Sequence, residues 1–368
     1  MATFILFTNT PWTEPPRLRH QVTQLLINAG NKVIFFERPR PLFTGIGPKI
    51  VTVSNQLTLV NTTRLIHFQL RVVPVLSWLN GLWASAQIRA RLRACDVGSD
   101  AIVINFNHDF DFLTDVFSRK QIVTLINDDF EAQCRLPWRW HITRMLRRTC
   151  QSSGAVLAVS TPLLDRLSQW CTPTLFLPWA VTEYKAPSPN TGRRTTLLFW
   201  GSIDNALDLD LVARLANALK ARGPQWKMLF VGPTQHQSRR VRILEALSNF
   251  SNIEVRDATP LNELPLDEVL CGIMPYANTP AVNAVTLANK SMQLLAHGLP
   301  LVISAMPRFV DEPFVRRLDR GTSIDETLDE CSANFLKWQP AIEHYLRANL
   351  PETRISILAG DGARPSRL

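Results

Sequence analysis

The segment from Cys271 to Ser304, CGIMPYANTPAVNAVTLANKSMQLLAHGLPLVIS, restricts the fold more than any other part of the chain. Gly272 to Pro275 reads as an apolar strand end and Tyr276 to Ala288 as a loop of small and polar residues. Asn289 to His297 reads as a short helix and Leu301 to Ser304 as the next strand. Gly298 stands where a helix closes on a residue in the left-handed region, and Pro300 cannot continue the helix. Strand, loop, helix and strand in this order make one unit of an α/β domain. A loop that runs into a helix N-terminus offers free backbone N–H groups to an anion. Lys290 adds a point charge there, and Asn289 and Ser291 add donors. Two readings stand side by side on spacing alone, a phosphate site and an ordinary element of such a domain.

The rest of the chain repeats the pattern. Thr3 to Thr8 is an apolar strand, Asn9 to Pro16 a turn-rich loop, Arg17 to Ala29 a helix and Lys32 to Glu37 a second strand. This Rossmann-like start lacks G-x-G-x-x-G, so no dinucleotide site is expected in it. Further strands are expected at Ile50–Val60, Ala101–Phe106, Gln121–Ile126, Ser153–Val159 and Thr174–Pro178, with a helix entered through Ser160-Thr161-Pro162. Residues 186–194, APSPNTGRR, have linker composition. The pattern then restarts with strand Thr195–Trp200, helix Asp208–Ala221, strand Trp226–Val231 and strand Asn252–Val255. A short helix is expected within Pro260–Leu270, mostly helical structure over Phe314–Leu350, and a weakly ordered tail from Arg354. The expected division is 1–183, a linker at 184–194, a second domain at 195–345 and a C-terminal segment at 346–368. A chain of 368 residues accommodates two such domains.

The formal net charge of +9 favours anionic partners, but no nucleic-acid-binding module accompanies it. The six cysteines are scattered without metal spacing, so reduced thiols and no zinc site are expected. MATFILFT lacks the basic start of a signal peptide, and no run of about 18 uncharged apolar residues exists to span a bilayer. A cytoplasmic protein is expected. Two stretches carry tryptophan beside arginine. His67 to Arg93 has Trp78, Leu79, Leu82 and Trp83, then Arg89, Arg91 and Arg93, with Pro74 and Gly81 as interruptions. Arg135 to Arg148 has five arginines with Trp138 and Trp140. Both suit helices lying on an anionic membrane; the first equally suits a core helix with a solvated basic end, and the second a solvated face.

The segment Pro-Tyr, small-residue loop, NKSMQLLAHGLPLV resembles the donor-nucleotide segment of GT-B glycosyltransferases. It is most similar to the inverting glucuronosyltransferases of xanthan assembly, and the likeness extends more weakly over Thr3 to Val310. The resemblance implies a GT-B fold, with two Rossmann-like domains facing across a cleft, the second holding a nucleotide sugar and the first the acceptor. It places Gly201, Ser202 and Ile203 near the diphosphate, Tyr276 near the nucleotide, Ser291, Met292 and Gln293 at its contacts, and Asp257 near a uridine. Gln293 stands where the xanthan-type enzymes have lysine, and Lys290 is the nearby substitute. Trp12, Arg17, His20 and His108 fall on the acceptor side. Asn107-His108-Asp109 and Asn127-Asp128-Asp129 follow strands at the edge where open α/β sheets bind ligands. The resemblance makes Asp128, or its neighbour Asp129, the general base; the residues alone equally allow a helix N-cap.

Many retaining GT-B enzymes carry two glutamates at the positions of Val285 and Gln293, so the resemblance favours inversion by direct displacement. No cofactor and no metal are expected, a UDP-sugar being the favoured donor and a lipid-linked saccharide the acceptor. The expected setting is peripheral, on the inner face of the membrane. A retaining transferase of the same fold and a catalytically inactive binding or scaffold subunit remain as alternatives.

Overall fold

The computed structural model describes residues 1–14, 17–42, 48–66, 70, 73–133, 139–177, 179, 183–188, 194–233, 238–279, 282, 289–306, 312–318 and 321–359. The chain divides into two compact units, Met1–Leu177 with Pro351–Leu368, and Pro178–Leu350. Part of the expected linker, 189–193, and the tail from 360 lie outside the described residues, as do Arg135 and Trp138.

The first unit is built on an eight-stranded sheet. Across it the strands run Thr174–Leu175, Ala155–Ala158, Ile122–Ile126, Ile102–Asn105, Thr3–Phe7, Lys32–Phe36, Leu57–Val60 and Ile50–Ser54. All neighbours are parallel except the last pair. The central strands are apolar along almost their whole length because both faces of a parallel sheet are covered; Ile5, Leu6, Val33, Phe35, Val103, Ile104 and Leu125 are fully buried. Strand order reverses between Thr3–Phe7 and Ile102–Asn105, so a crevice for ligands is expected at their carboxyl ends.

Three readings of this unit need correction. Ile50–Val60 is a hairpin rather than one strand: Ser54 Oγ accepts from the backbone of Gln56 and Leu57 at 3.3 and 3.1 Å and turns the chain. Pro74–Ala94 is one unbroken helix. Pro74 sits in its first turn, where its missing N–H costs nothing, and Gly81 lets Phe112 approach to 3.3 Å of where a Cβ would stand. Arg354–Leu358, expected in the tail, belong to helix Glu352–Leu358, whose Arg354 is buried and donates through Nε to the Leu177 carbonyl at 3.0 Å.

The second unit has six parallel strands in the order Ile253–Arg256, Lys227–Val231, Thr196–Trp200, Val269–Met274, Leu301–Ile303 and Val315–Arg317. Helix Leu209–Arg222 begins at Asp208, whose carboxylate accepts from Leu211 N at 2.9 Å, and it buries Leu211, Leu215 and Leu219. Helix Asn289–Ala296 ends as expected at Gly298, which has φ +71°. Pro260–Leu270 holds two 3₁₀ turns, Leu261–Glu263 and Leu266–Glu268, with Pro265 between them, in place of the expected helix. Phe314–Leu350 opens on the edge strand Val315–Arg317 before helices Ile324–Asn334 and Gln339–Ala348.

Gly232 marks a close approach of two turns at the strand ends. A Cβ there would penetrate the Gly201 carbonyl oxygen and lie 2.7 Å from its carbon. Because the obstacle is backbone, Gly232→Ala is expected to destabilise the protein by about 3 kcal/mol or more, the upper range for overpacking. A denaturant midpoint equal to that of the parent would show that the turns separate freely.

Candidate functional site

In the second unit, strand order reverses between Thr196–Trp200 and Val269–Met274, and the loops after these two strands form the switch point. The loops are stitched together. Asp208 N donates to Pro275 O at 2.8 Å, Ala277 N donates to Ala206 O at 2.7 Å, and Leu207 bridges Tyr276. Ser304 Oγ donates to the Tyr276 carbonyl at 3.0 Å. Into this frame the first turn of helix Asn289–Ala296 places Lys290. Its Nζ lies 4.3 Å from the Phe199 ring centroid and 4.8 Å from that of Tyr276. It also lies 2.7 Å from where a Cβ of Gly201 would be. Gly201 has φ +147°, which favours glycine, and its lack of a side chain makes room for the ammonium. A half-buried cation between two aromatic faces at a sheet switch point is suited to an anion carrying a flat ring.

Gly201, Tyr276 and Lys290 are thus brought together, and Phe199, not singled out in the sequence, completes the group. Ser202 is exposed, and Ile203 is buried at 1% exposure. Asp257 is exposed after edge strand Ile253–Arg256; its loop is tied to the first strand because Trp200 Nε1 donates to Thr259 O at 2.9 Å. Ser291, Met292 and Gln293 turn into the unit. Ser291 Oγ donates to Met274 Sδ at 3.5 Å, and Met292 is wholly buried in the core. Gln293 is 7% exposed, and its Nε2 is buried with no hydrogen-bond partner among the described residues. The Asn289 side chain and Val285 lie outside the described residues.

In the first unit, the loops at the carboxyl edge are pinned by a buried polar ladder. Asn107 Nδ2 donates to Phe7 O at 3.0 Å, and Asn105 Nδ2 donates to Asn107 O at 2.9 Å and to Thr124 Oγ1 at 3.3 Å. His108 is buried with its ring 4.4 Å from that of Phe130, and its carbonyl accepts from Thr149 Oγ1 at 2.9 Å. The two neighbouring aspartates differ. Asp129 is 2% exposed. Its Oδ1 accepts from Ala132 N at 3.0 Å, capping helix Phe130–Gln133, and from Arg166 Nη1 at 2.6 Å. Asp128 is half-buried, and its Oδ1 accepts from Asp129 N at 2.9 Å.

The acceptor-side residues also separate. Trp12 is held by its backbone N–H, which donates to Glu37 Oε1 at 2.6 Å, and its ring lies 5.1 Å from His20 and 5.2 Å from Phe35. His20 is buried, its Nδ1 accepts from Arg17 N at 3.1 Å, and burial holds its pKa below the ordinary value. Arg17 points outward to Glu14 at 3.4 Å. The cation that turns inward is Arg19, which the sequence reading passed over. It donates to Thr10 Oγ1 and stands 6.0 Å from the Phe106 ring. Burial, with Arg17 nearby, pushes its pKa down to about 10, and the Asp128 carboxylate opposes the shift. Arg19 shares the spacing of buried Val22, Thr23 and Leu26, so extending that stripe by one helical turn places it over the sheet.

No protein-family model matches the chain, and no curated protein matches it. Solved structures do. The chain is similar to an α,α-trehalose-phosphate synthase (UDP-forming) from Burkholderia vietnamiensis, with 13% identity over 97% of each chain and a TM-score of 0.68. It is similar to a sucrose-phosphate synthase from Thermosynechococcus elongatus, with 13% identity over 97% of this chain and 95% of that one and a TM-score of 0.63. It is also similar to WaaG, a glycosyltransferase involved in lipopolysaccharide biosynthesis, with 15% identity over 98% and 100% and a TM-score of 0.59. At these identities the likeness is one of fold.

Proposed function

The chain has the GT-B fold of these glycosyltransferases, and from that premise we propose that it transfers a sugar from a nucleoside diphosphate sugar to a membrane-linked saccharide, with inversion. The carrying observation is the Lys290 ammonium at the switch point of the second sheet, between Phe199 and Tyr276 and against Gly201. It would stabilise the charge that grows on a leaving diphosphate. UDP is the favoured nucleotide, because a trehalose-phosphate synthase of this fold is UDP-forming. Asp128 would take the proton of the acceptor hydroxyl. Gln293 stands where a second glutamate would favour retention. The donor half's one D-x-D triplet, Asp208-Leu209-Asp210, opens a helix, with the Asp208 carboxylate taken up as its cap on Leu211 N, so the reading includes metal independence.

The exposed Trp78, Leu79, Leu82 and Trp140 and the exposed Arg139, Arg144 and Arg147 support a peripheral place on an anionic membrane. Trp83, expected on that face, instead turns inward and donates to Thr63 Oγ1 at 3.2 Å. Among the described residues no helix is long and apolar enough to cross a membrane. A thermal-shift panel of UDP, GDP, TDP and CMP tests the donor site: UDP is expected to raise the melting temperature most. Absence of a shift with all four would remove the nucleotide-sugar reading. Anomeric analysis of the product then separates inversion from retention.

A further inference from the structure

The first unit contains a pocket that the proposed sugar transfer does not use. It measures about 360 Å³ and opens between helices Pro74–Ala94 and Arg139–Gln151 and the 3₁₀ segment Asp111–Asp115. Three carboxylates line it, Asp109, Asp111 and Asp115, together with the guanidinium groups of Arg144 and Arg148 and the imidazole of His141. Asp109 and His141 are more than nine-tenths buried, at 8% and 6% exposure. His141 Nε2 is 3.2 Å from Ser77 Oγ, and its Nδ1 is buried with no hydrogen-bond partner among the described residues. Arg148 Nε pairs with Asp111 Oδ2 at 3.0 Å. A buried polar atom without a partner costs free energy that a bound group would recover.

The pocket runs out into apolar surface. Trp78 and Leu82 line it and are 63% and 48% exposed, and Val75 and Leu79 share their helix face, the four standing at i, i+3, i+4 and i+7. Trp140, also exposed, has its ring 5.4 Å from His141. Each part of this arrangement restricts the occupant. A simple anion is disfavoured, because carboxylates outnumber guanidinium groups in the lining. A neutral saccharide can hydrogen-bond to the charged groups, but it does not cover four exposed apolar side chains in a row. A molecule with one cationic group, one phosphate and an apolar chain meets all three.

We propose that this pocket takes the headgroup of a zwitterionic phospholipid. A primary ammonium sits among the carboxylates of Asp109, Asp111 and Asp115, the phosphate on Arg144 and Arg148, and the acyl chains along Trp78 and Leu82. Burial raises the pKa of Asp111, and a bound ammonium would offset that shift by favouring the carboxylate. A primary ammonium donates hydrogen bonds to carboxylates and a trimethylammonium does not, so the site discriminates phosphatidylethanolamine from phosphatidylcholine. The site shares Trp78, Leu82 and Arg144 with the membrane-facing surface and adds three carboxylates, which do not attract an anionic membrane. It also stands apart from sugar transfer, because the assay contains no donor.

Cosedimentation of the full chain with phosphatidylcholine vesicles, with and without phosphatidylethanolamine or phosphatidylglycerol, tests the proposal. Phosphatidylethanolamine is expected to raise affinity over phosphatidylcholine alone by about tenfold, the worth of one charge-assisted hydrogen bond. The double variant Asp111→Asn, Asp115→Asn is expected to lose that preference and to keep any binding to phosphatidylglycerol. Trp78→Ser, at an exposed position that leaves the core intact, is expected to weaken binding to phosphatidylethanolamine vesicles. Circular dichroism checks that both variants fold. Equal binding to phosphatidylethanolamine and phosphatidylcholine, or binding to phosphatidylglycerol alone, overturns the proposal. Thermal stabilisation by a neutral disaccharide such as lactose, with none by phosphoethanolamine, also overturns it and reassigns the pocket to a saccharide.

Discussion

Asp128→Asn is expected to fold and bind nucleotide like the parent and to lose turnover by about 100-fold or more, the lower end for removal of a general base. The expectation comes from the contrast with its neighbour. Asp129 has its Oδ1 committed to Ala132 N and to Arg166, and its side chain is closed to solvent. Asp128 is half-buried at the carboxyl end of strand Ile122–Ile126 and senses the charge of Arg19. Asp129→Asn is expected to keep most activity and the helix cap, and to lower stability by about 1 kcal/mol or more through the lost charge partner of Arg166. Steady-state rates and melting temperatures measured on both variants separate the roles. Full turnover in Asp128→Asn would move the base elsewhere, with His20 next to be tried. Loss of turnover in Asp129→Asn alone would exchange the two assignments.

The sequence was most informative where one local rule decides the structure. Alternation of apolar strands and capped helices is local, so Gly298 at a helix end and Asp208 at a helix start were readable from their neighbours. The elements that were missed depend on partners distant in sequence. Val315–Arg317 is a strand only because Leu301–Ile303 offers it an edge. Arg354 is buried only because the Leu177 carbonyl awaits it. Within the first-unit candidate site, the sequence points to position 17 and not to position 19, although both are arginines at a helix start. Only the packing of Val22, Thr23 and Leu26 against the sheet decides which of the two turns inward. Lys290 was legible as a cation near a helix N-terminus. Its contact with Gly201, 89 positions earlier by the numbering, follows from the switch in strand order that brings the two loops together.

Lys290→Ala is expected to weaken UDP binding by about 1.5–3 kcal/mol, the range for a hydrogen bond to a charged group, or roughly 10- to 150-fold in Kd. The side chain is half-buried in the first turn of its helix, where alanine is well tolerated, so the variant should fold. What it removes is the cation beside Gly201 and between the rings of Phe199 and Tyr276. Calorimetry with two ligands isolates that charge. UDP carries the diphosphate and should lose affinity, whereas uridine lacks it and should lose little. Equal losses for UDP and uridine would mean that Lys290 shapes the aromatic pocket and does not contact phosphate. An unchanged UDP affinity would remove Lys290 from the donor site. Lys290→Arg sharpens the test. It keeps the charge, but a guanidinium is bulkier than an ammonium and must fit beside a backbone where Nζ already lies 2.7 Å from a notional Cβ of Gly201. Partial recovery by arginine is therefore expected, and full recovery would show that the Gly201 turn yields on binding.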